Sequence, residues 1–535
     1  MISAQAAADP ESPGTRSGTA EFRLRTRWAL AIALAGGLAL AGAFPPYGIW
    51  PLAVAGPGLL VVAQAGRSLR GSLLCGLVFG VAFFVPLISW LINVAWYAWA
   101  ALAIAETVIF AVLAVGHRML LRLRFWPLAV AGWWVLTEGI RDRWPWAFPW
   151  GRLAMSQAGA PDDRWMAIGG APLLTFLVAL TGAMLAWAFL QSRTRPGPWL
   201  AAAVMAGGLL AIALVPVDPV GGAPTAEVAA IQGNVPRARN LPQQLSQREV
   251  TANHAAATLK LAAQVRTGRL PAPDLVLWPE NSTDIDPSAD PVIYDEIMSA
   301  VDAIGKPMLV GEVLDGPRRN VGELWTPGHR TGVMYIKRQL VPFGEYIPFR
   351  SFLSAFTSLP SLQPVNFTPG RYAIVFKVGK IRLGDVICYE VGFDNLVRSE
   401  VNAGANLLTV QSNDADFEID GQSGESSQQV AMARLRAVES DRTVVYVSTT
   451  GESAVIGPDG RVVMASGLWQ QAILTARVPL VSYRTLASRV GSWPEYVVVT
   501  LTVLALAFAA CLGLRTTGSM RWSRLRTKEG RRARQ

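Results

Sequence analysis

The sequence predicts a polytopic α-helical membrane domain of about eight spans, interrupted by one large α/β domain on the outer side of the membrane. Three observations carry this prediction. Hydrophobic residues make up 51% of the 535 positions and charged residues only 16%, with a mean hydropathy of +0.31, whereas soluble domains carry about a quarter charged residues. The apolar excess falls in separate windows at the two ends of the chain. Arginine is concentrated in alternate loops between those windows.

A bilayer crossing takes about 20 predominantly apolar residues. Windows of that kind lie near 28–46, 51–66, 72–92, 97–116, 125–140, 170–191, 197–215 and 493–514. The second is short and rich in Gly and Pro. The first runs on into further spans, which is unlike a cleaved secretory signal. The predicted organisation is a tail over 1–27, seven helices over 28–216, an insert over 217–490, an eighth helix over 491–514 and a basic tail over 515–535.

Charge sets the orientation. Arg16, Arg23, Arg25 and Arg27, then Arg67 and Arg70, then Arg118, Arg122 and Arg124, then Arg193 and Arg195, and finally the tail from Arg515 to Arg534 all fall on one side. The short loops opposite hold Arg141, Arg143, Arg152 and Arg164. An excess of Lys and Arg marks the cytoplasmic side, so both termini are expected there and the insert faces outward. Acidic and basic groups nearly balance within the insert, and the net charge of +10 belongs to the helices and tails. The basic tail is therefore read as a topology and lipid-contact signal, not as a nucleic-acid site.

Three cysteines and three histidines limit the chemistry. Cys75 and Cys511 fall in spans and Cys388 stands alone in the insert, either as a buried structural thiol or as a reactive one. His254 lies in a helix-like stretch and is expected at its surface, and His329 lies in a turn. So few ligands cannot build a zinc site, and neither a metal nor a cofactor is expected. Glu106 and Glu138 lie in the fourth and fifth spans, where helix packing is their expected role.

The insert alternates strand and helix patterns. Strands are expected at 227–236, 274–280, 307–314, 332–339, 372–389 (broken at Gly379–Lys380), 406–412, 443–449 and in a hairpin over 454–463 turning at Pro458–Gly460. Helices are expected at 240–266, 291–304 and 422–439. That alternation makes one α/β domain. Three groups end apolar strands: Glu280 closes DLVLWPE, Lys337 sits in VMYIKRQLVPFGEYIP, and Cys388 closes IRLGDVICYE. Each alone reads as a solvated strand end. Together, a carboxylate, an ammonium and a thiol can make an activated nucleophile, its base and its oxyanion donor.

The strings QGNVP (232–236), LWPEN (277–281), LVPFGEYIP (340–348), GDVICYE (384–390) and MARLRAVE (432–439) resemble those of the nitrilase superfamily. More narrowly, the chain resembles the apolipoprotein N-acyltransferase family from about residue 28 to 514. The resemblance implies an αββα sandwich for the insert. It also implies Glu280 as general base, Lys337 as oxyanion-stabilising lysine and Cys388 as nucleophile. Glu345 would be the second glutamate that orients the lysine, and Tyr389 and Glu390 match the two residues after the nucleophile. Trp146–Arg152 (WAFPWGR) matches an outward loop where lipid would come in.

The implied reaction moves an acyl chain from a membrane phospholipid to a diacylglyceryl apolipoprotein, by a monomer in the bacterial cytoplasmic (inner) membrane with its catalytic domain outside. Leu241 stands where many relatives have tryptophan. Asp416 in SNDADFEID (412–420) replaces a bulky aromatic, which bears on substrate preference. The apolar stretch Phe349–Leu362 reads either as a lid dipping into lipid or as a packed loop. Two alternatives stand beside the implied reaction: a membrane-tethered amidase that shares the three groups and cleaves a carbon–nitrogen bond, and, in a different class, a transporter or scaffold whose outer domain only binds lipoprotein.

Overall fold

A computed structural model describes residues 22–191, 196–215, 220–236, 243–355, 357–358, 361, 363–417 and 424–532. Leu241 lies outside these residues, as do four positions of the 349–362 stretch. The first half is helical: α1 (Thr26–Gly42), α2 (Leu52–Gln64), α3 (Leu69–Leu87), α4 (Trp96–Leu120), α5 (Trp126–Arg141), α6 (Met166–Gln191) and α7 (Gly197–Ala211). Among the described residues, five helical stretches are long and apolar enough to cross a membrane: Leu69–Leu87, Trp96–Leu120, Asp163–Gln191, Gly197–Leu214 and Trp493–Leu512. Two more apolar helices, α1 and α2, are shorter.

Small residues let these helices approach closely. A Cβ on Gly182 of α6 would lie 2.4 Å from the Val54 carbonyl oxygen of α2, the small-residue contact expected where helices pack within lipid. The carboxylates inside the bundle are paired, as their packing role required. Glu106 Oε2 meets Arg141 Nε at 2.5 Å, and Glu138 accepts from Leu153 N and Thr175 Oγ1, each at 2.7 Å.

The second half is an α/β domain. Its elements are β1 (Thr225–Gln232), α8 (Gln243–Arg266), β2 (Leu275–Leu277), α9 (Pro291–Ile304), β3 (Met308–Asp315), β4 (Arg318–Thr326), β5 (His329–Ile336), the short α10 (Arg350–Leu353), β6 (Val375–Val378), β7 (Ile381–Ile387), α11 (Asp394–Asn402), β8 (Leu407–Ser412), α12 (Gly424–Ser440), β9 (Val444–Ser448), β10 (Ala454–Ile456), β11 (Val462–Ala465) and β12 (Ala472–Pro479). After α13 (Leu486–Val490), α14 (Trp493–Arg532) returns to the bundle and packs on α5.

The strands form two six-stranded sheets, ordered β12-β1-β2-β3-β4-β5 and β11-β10-β9-β8-β7-β6. In each, a parallel trio (β1-β2-β3 and β7-β8-β9) is flanked by antiparallel strands. The trios are buried on both faces, which is why their strands read as continuous apolar runs. The sheets meet face to face through β1 with β9 and β4 with β7, while α8 and α9 cover one and α11 and α12 the other. The result is four layers, αββα.

Five elements were not foreseen: β4, β12 and α11, and the short α10 and α13. β4 begins with Arg318, Arg319 and Asn320, and β12 mixes Thr and Arg into AILTARVP, so neither carries a clean apolar run. α11 is short and largely polar, DNLVRSEVN, and α10 and α13 are shorter still. The expectation for His254 is corrected: it is fully buried, its Nδ1 lies 2.7 Å from the Val250 carbonyl oxygen, and its ring packs on Trp278. α8 is polar and alanine-rich on all sides, so no apolar stripe announced which face turns inward. Burial pushes the imidazole down to about 4, so it stays neutral.

The α/β domain rests on the loops of the helix bundle. Arg152 grips Asp394 with two bonds of 2.8 and 3.0 Å, and Arg436 of α12 reaches the same carboxylate at 2.7 Å. Gln428 of α12 donates to the Leu87 carbonyl at 2.9 Å, and Asn93 Nδ2 donates to the Phe417 carbonyl at 2.7 Å. The ring of Phe417, next to the exposed Asp416, packs edge-on against Trp90.

Candidate active site

Two of the three strand-end groups sit where a strand of a parallel trio runs out, the usual place for chemistry in α/β folds, and the third ends the antiparallel edge strand β5. Glu280 follows β2, Lys337 follows β5 and Cys388 follows β7. All three are buried, at 5%, 1% and 7% exposure, so the solvated strand-end reading fails for every one. The chain around Glu280 is held by close contact with β3. A Cβ on Gly311 would lie 2.1 Å from the Pro279 carbonyl oxygen and 2.8 Å from Glu280 Cα, so only glycine admits this approach.

Lys337 Nζ donates to Glu280 Oε1 at 2.8 Å and to Glu345 Oε1 at 3.1 Å. Asn320 of β4 donates through Nδ2 to the same two oxygens, at 2.7 and 2.9 Å. The second oxygens are fixed by backbone: Glu280 Oε2 accepts from Asn413 N at 3.0 Å, and Glu345 Oε2 from Val341 N at 2.7 Å. Asn320 also takes the Lys337 backbone N–H on its carbonyl at 2.9 Å. Two carboxylates are thereby locked about one ammonium.

Cys388 has φ +52°, in the left-handed region. A non-glycine residue held there costs of order 1–3 kcal/mol and persists only where its surroundings enforce it. The enforcing group is Glu390. Its Oε2 accepts from Ile387 N at 2.9 Å and from the Tyr335 hydroxyl at 2.8 Å. Its Oε1 accepts from Arg338 N at 2.7 Å and Gln339 N at 2.9 Å. One carboxylate thus ties the turn carrying the thiol to the two residues after Lys337. Tyr389 points the other way. Its hydroxyl donates to the Ala147 carbonyl at 2.6 Å, and its ring stacks on Trp150 with centroids 5.3 Å apart at 16°. The residue after the thiol is therefore seated on the loop between α5 and α6, within the WAFPWGR segment.

The electrostatics follow from burial. Burial works against the Lys337 charge, but Glu280, Glu345 and Cys388 outweigh it and hold the ammonium well above its ordinary range. Burial pushes the Cys388 thiol well above its ordinary range, Glu280 adds to this, and Lys337 offsets part of it. A thiol so placed keeps its proton until a base takes it, and becomes a nucleophile only as a thiolate.

Two further side chains were not singled out from the sequence. Asn320 hides in a strand that was not foreseen. Gln429 of α12 donates through Nε2 to Cys388 Sγ at 3.5 Å and also to Glu425 Oε1. Gln429 lies 41 residues beyond the cysteine, in α12 just ahead of MARLRAVE, and no local signal marks it. Among the described residues, no group of three or more His, Cys, Asp or Glu is arranged to hold a metal.

Comparison with known proteins gives two domain matches. The profile of the apolipoprotein N-acyltransferase N-terminal domain matches residues 36–184, and that of carbon-nitrogen hydrolases matches residues 320–488. The apolipoprotein N-acyltransferase of Mycolicibacterium smegmatis is 36% identical over 514 residues, covering 90% of this chain and 85% of that one. The enzyme of the same name from Azotobacter vinelandii is 29% identical over 507 residues, covering 89% and 94%. Among solved structures, an amidase from Nesterenkonia sp. is 20% identical, covering 48% of this chain and 90% of that one, with a TM-score of 0.34.

Proposed function

This chain belongs to the apolipoprotein N-acyltransferase family, and on that premise we propose that it N-acylates lipoproteins through a thioester on Cys388. The observation that carries the mechanism is the buried Lys337 ammonium held between Glu280 and Glu345, with the Cys388 thiol in its field.

In the first half-reaction the Cys388 proton passes to Glu280 and the sulfur attacks the ester carbonyl of a membrane phospholipid. Lys337 and backbone N–H groups hold the oxyanion. The carbon–oxygen bond breaks, Glu280 returns the proton to the leaving alkoxide, and lysophospholipid departs. In the second, the α-amine of a diacylglyceryl-cysteine attacks the thioester, the carbon–sulfur bond breaks, Glu280 passes an amine proton to the departing sulfur, and an amide forms. Splitting the transfer in two suits bulky substrates that need not be bound together. Glu345 orients Lys337, and Tyr389 and Glu390 hold the turn on either side of the sulfur.

Membrane association follows from the apolar helices. The finer reading is that eight helices span the cytoplasmic membrane of a bacterium, that residues 217–490 form the outer catalytic domain, and that the protein works as a monomer. The arginine-rich loops favour that orientation. Each acyl CH₂ left in lipid is worth about 0.8 kcal/mol, so a donor chain must reach the sulfur without crossing water. The stacking of Tyr389 on Trp150, at the seam of the helices and the α/β domain, supports such a route.

The test uses the full chain in detergent with a phospholipid donor and a diacylglyceryl lipopeptide. Intact mass should record one acyl group on wild type after donor alone and transfer to the peptide after acceptor, with neither for Cys388→Ala. Ammonia release from small amides with no acylated peptide would overturn the reading in favour of an amidase.

A further inference from the structure

The helix α12, which packs on β9 and β10, brings a second carboxylate to the thiol, and the acylation chemistry does not use it. Glu425, in the first turn of α12, is buried at 2% exposure, and Gln429, one turn on, is fully buried. Gln429 Nε2 contacts both Cys388 Sγ and Glu425 Oε1. Turning that amide over would set its oxygen against the carboxylate, so the orientation is fixed by chemistry. Gln429 Oε1 is then an acceptor without a hydrogen-bond partner among the described residues, on a side chain fully out of solvent. A buried amide oxygen left unpaired costs about 1–3 kcal/mol.

Glu425 opposes the first half-reaction. Its charge adds to the burial and to Glu280 in keeping the proton on Cys388. Asp414 also bears on the sulfur, but its oxygens are taken by Ser412, Tyr446 and Ser448, at 2.6, 3.1 and 2.8 Å. A carboxylate that hinders thiolate formation, beside a spare acceptor, fits a step in which a cation arrives at the sulfur.

We infer that Glu425, with Gln429 Oε1, is the recognition site for the α-ammonium of the acceptor. This inference deepens the acyl-transfer reading and rests on it. The ammonium binds against Glu425 and gives one proton to solvent. Its nitrogen attacks the thioester carbon, the carbon–sulfur bond breaks, and a second N–H proton passes through Glu280 to the departing sulfur. Gln429 Oε1 accepts the remaining N–H and aims the lone pair.

The experiment follows the two half-reactions separately on the full chain in detergent. One arm measures lysophospholipid release in a single turnover without acceptor. The other measures decay of the preformed thioester, with the diacylglyceryl lipopeptide or with hydroxylamine, which is uncharged at neutral pH. Glu425→Gln should form the thioester at or above the wild-type rate. With subsaturating lipopeptide its thioester should decay about tenfold more slowly or worse, with hydroxylamine cleavage unchanged and Glu425→Asp partly restoring the peptide step. Slowing of both half-reactions, or of neither, overturns the inference.

A second measurement needs no variant. A lipopeptide carrying a hydroxyl in place of the α-amine should compete with the acceptor about tenfold more weakly on wild type, and equal competition overturns the inference. Wild type that forms no thioester from phospholipid overturns the acyl-transfer reading itself.

Discussion

Lys337 Nζ lies 2.8 Å from Glu280 Oε1, and both side chains are almost wholly out of solvent, at 1% and 6% exposure. Neither charge is tolerable there alone. The pair persists because Asn320, Glu345 and the Asn413 backbone satisfy the remaining donors and acceptors.

Removing one partner leaves the other buried and uncompensated, which costs about 3–5 kcal/mol. Lys337→Met is expected to lower the unfolding free energy, read from chemical denaturation, by an amount of that order and to abolish acylation. Full-length protein with unchanged stability would show that the pair is not the anchor described.

Glu280→Gln should move two readouts in opposite directions. Burial and the Glu280 charge both keep the Cys388 thiol above its ordinary value of 9.0. Neutralising that charge lowers the thiol toward the ordinary range, so alkylation by iodoacetamide near neutral pH should speed up. Acyl transfer should fall by about 10²–10⁴-fold, the usual contribution of a general base. Alkylation that slows together with transfer would place Glu280 in a structural role.

Glu400 sets a pH dependence of folding. Burial raises its carboxyl from 4.5 to about 8, with Glu390 adding to the rise and Arg338 opposing it. The folded state therefore binds a proton more tightly than the unfolded chain. Its stabilising contribution is complete below about 4.5 and is lost as pH rises through about 8. Denaturation midpoints of wild type should fall across that interval, and Glu400→Gln should flatten the fall. An unchanged slope would remove Glu400 as its source.

Tyr389 joins the thiol turn to the helix bundle by a ring and a hydroxyl. Tyr389→Phe keeps the stack on Trp150 and loses the bond to the Ala147 carbonyl, a change of about 0.5–1.5 kcal/mol. Tyr389→Ala loses both. Lipid-dependent acylation should drop modestly in the first and severely in the second, measured as thioester formed from phospholipid vesicles. Equal losses would shift the weight from the ring to the hydroxyl.

Much of the fold was legible because its signals are local. Apolar windows near 97–116 and 170–191 lie inside α4 and α6, and the pattern over 291–304 coincides with α9. The strands of the two parallel trios announced themselves as short apolar runs. β4 escaped because it opens on Arg318, Arg319 and Asn320 and carries Glu323 among its apolar residues, and it is held in the sheet by pairing with β3. Asn320 escaped with it, although it touches both site carboxylates. His254 was misplaced because a helix without an apolar stripe does not reveal its inner face.

The helical segments, the α/β alternation and the three strand-ending groups Glu280, Lys337 and Cys388 could be read along the chain, because hydropathy and strand termination are written in consecutive residues. Folding alone shows that Asn320 bridges two glutamates, that Glu390 clamps the Cys388 turn to the residues after Lys337, and that Gln429 and Glu425 stand against the sulfur. The bonds of Asn320 to the glutamates, of Glu390 to Arg338 and of Gln429 to the sulfur join positions 25 to 52 residues apart. Burial makes an unpaired polar group costly, so which groups pair is settled by how sheets and helices register against one another, and that registration has no local trace in the chain.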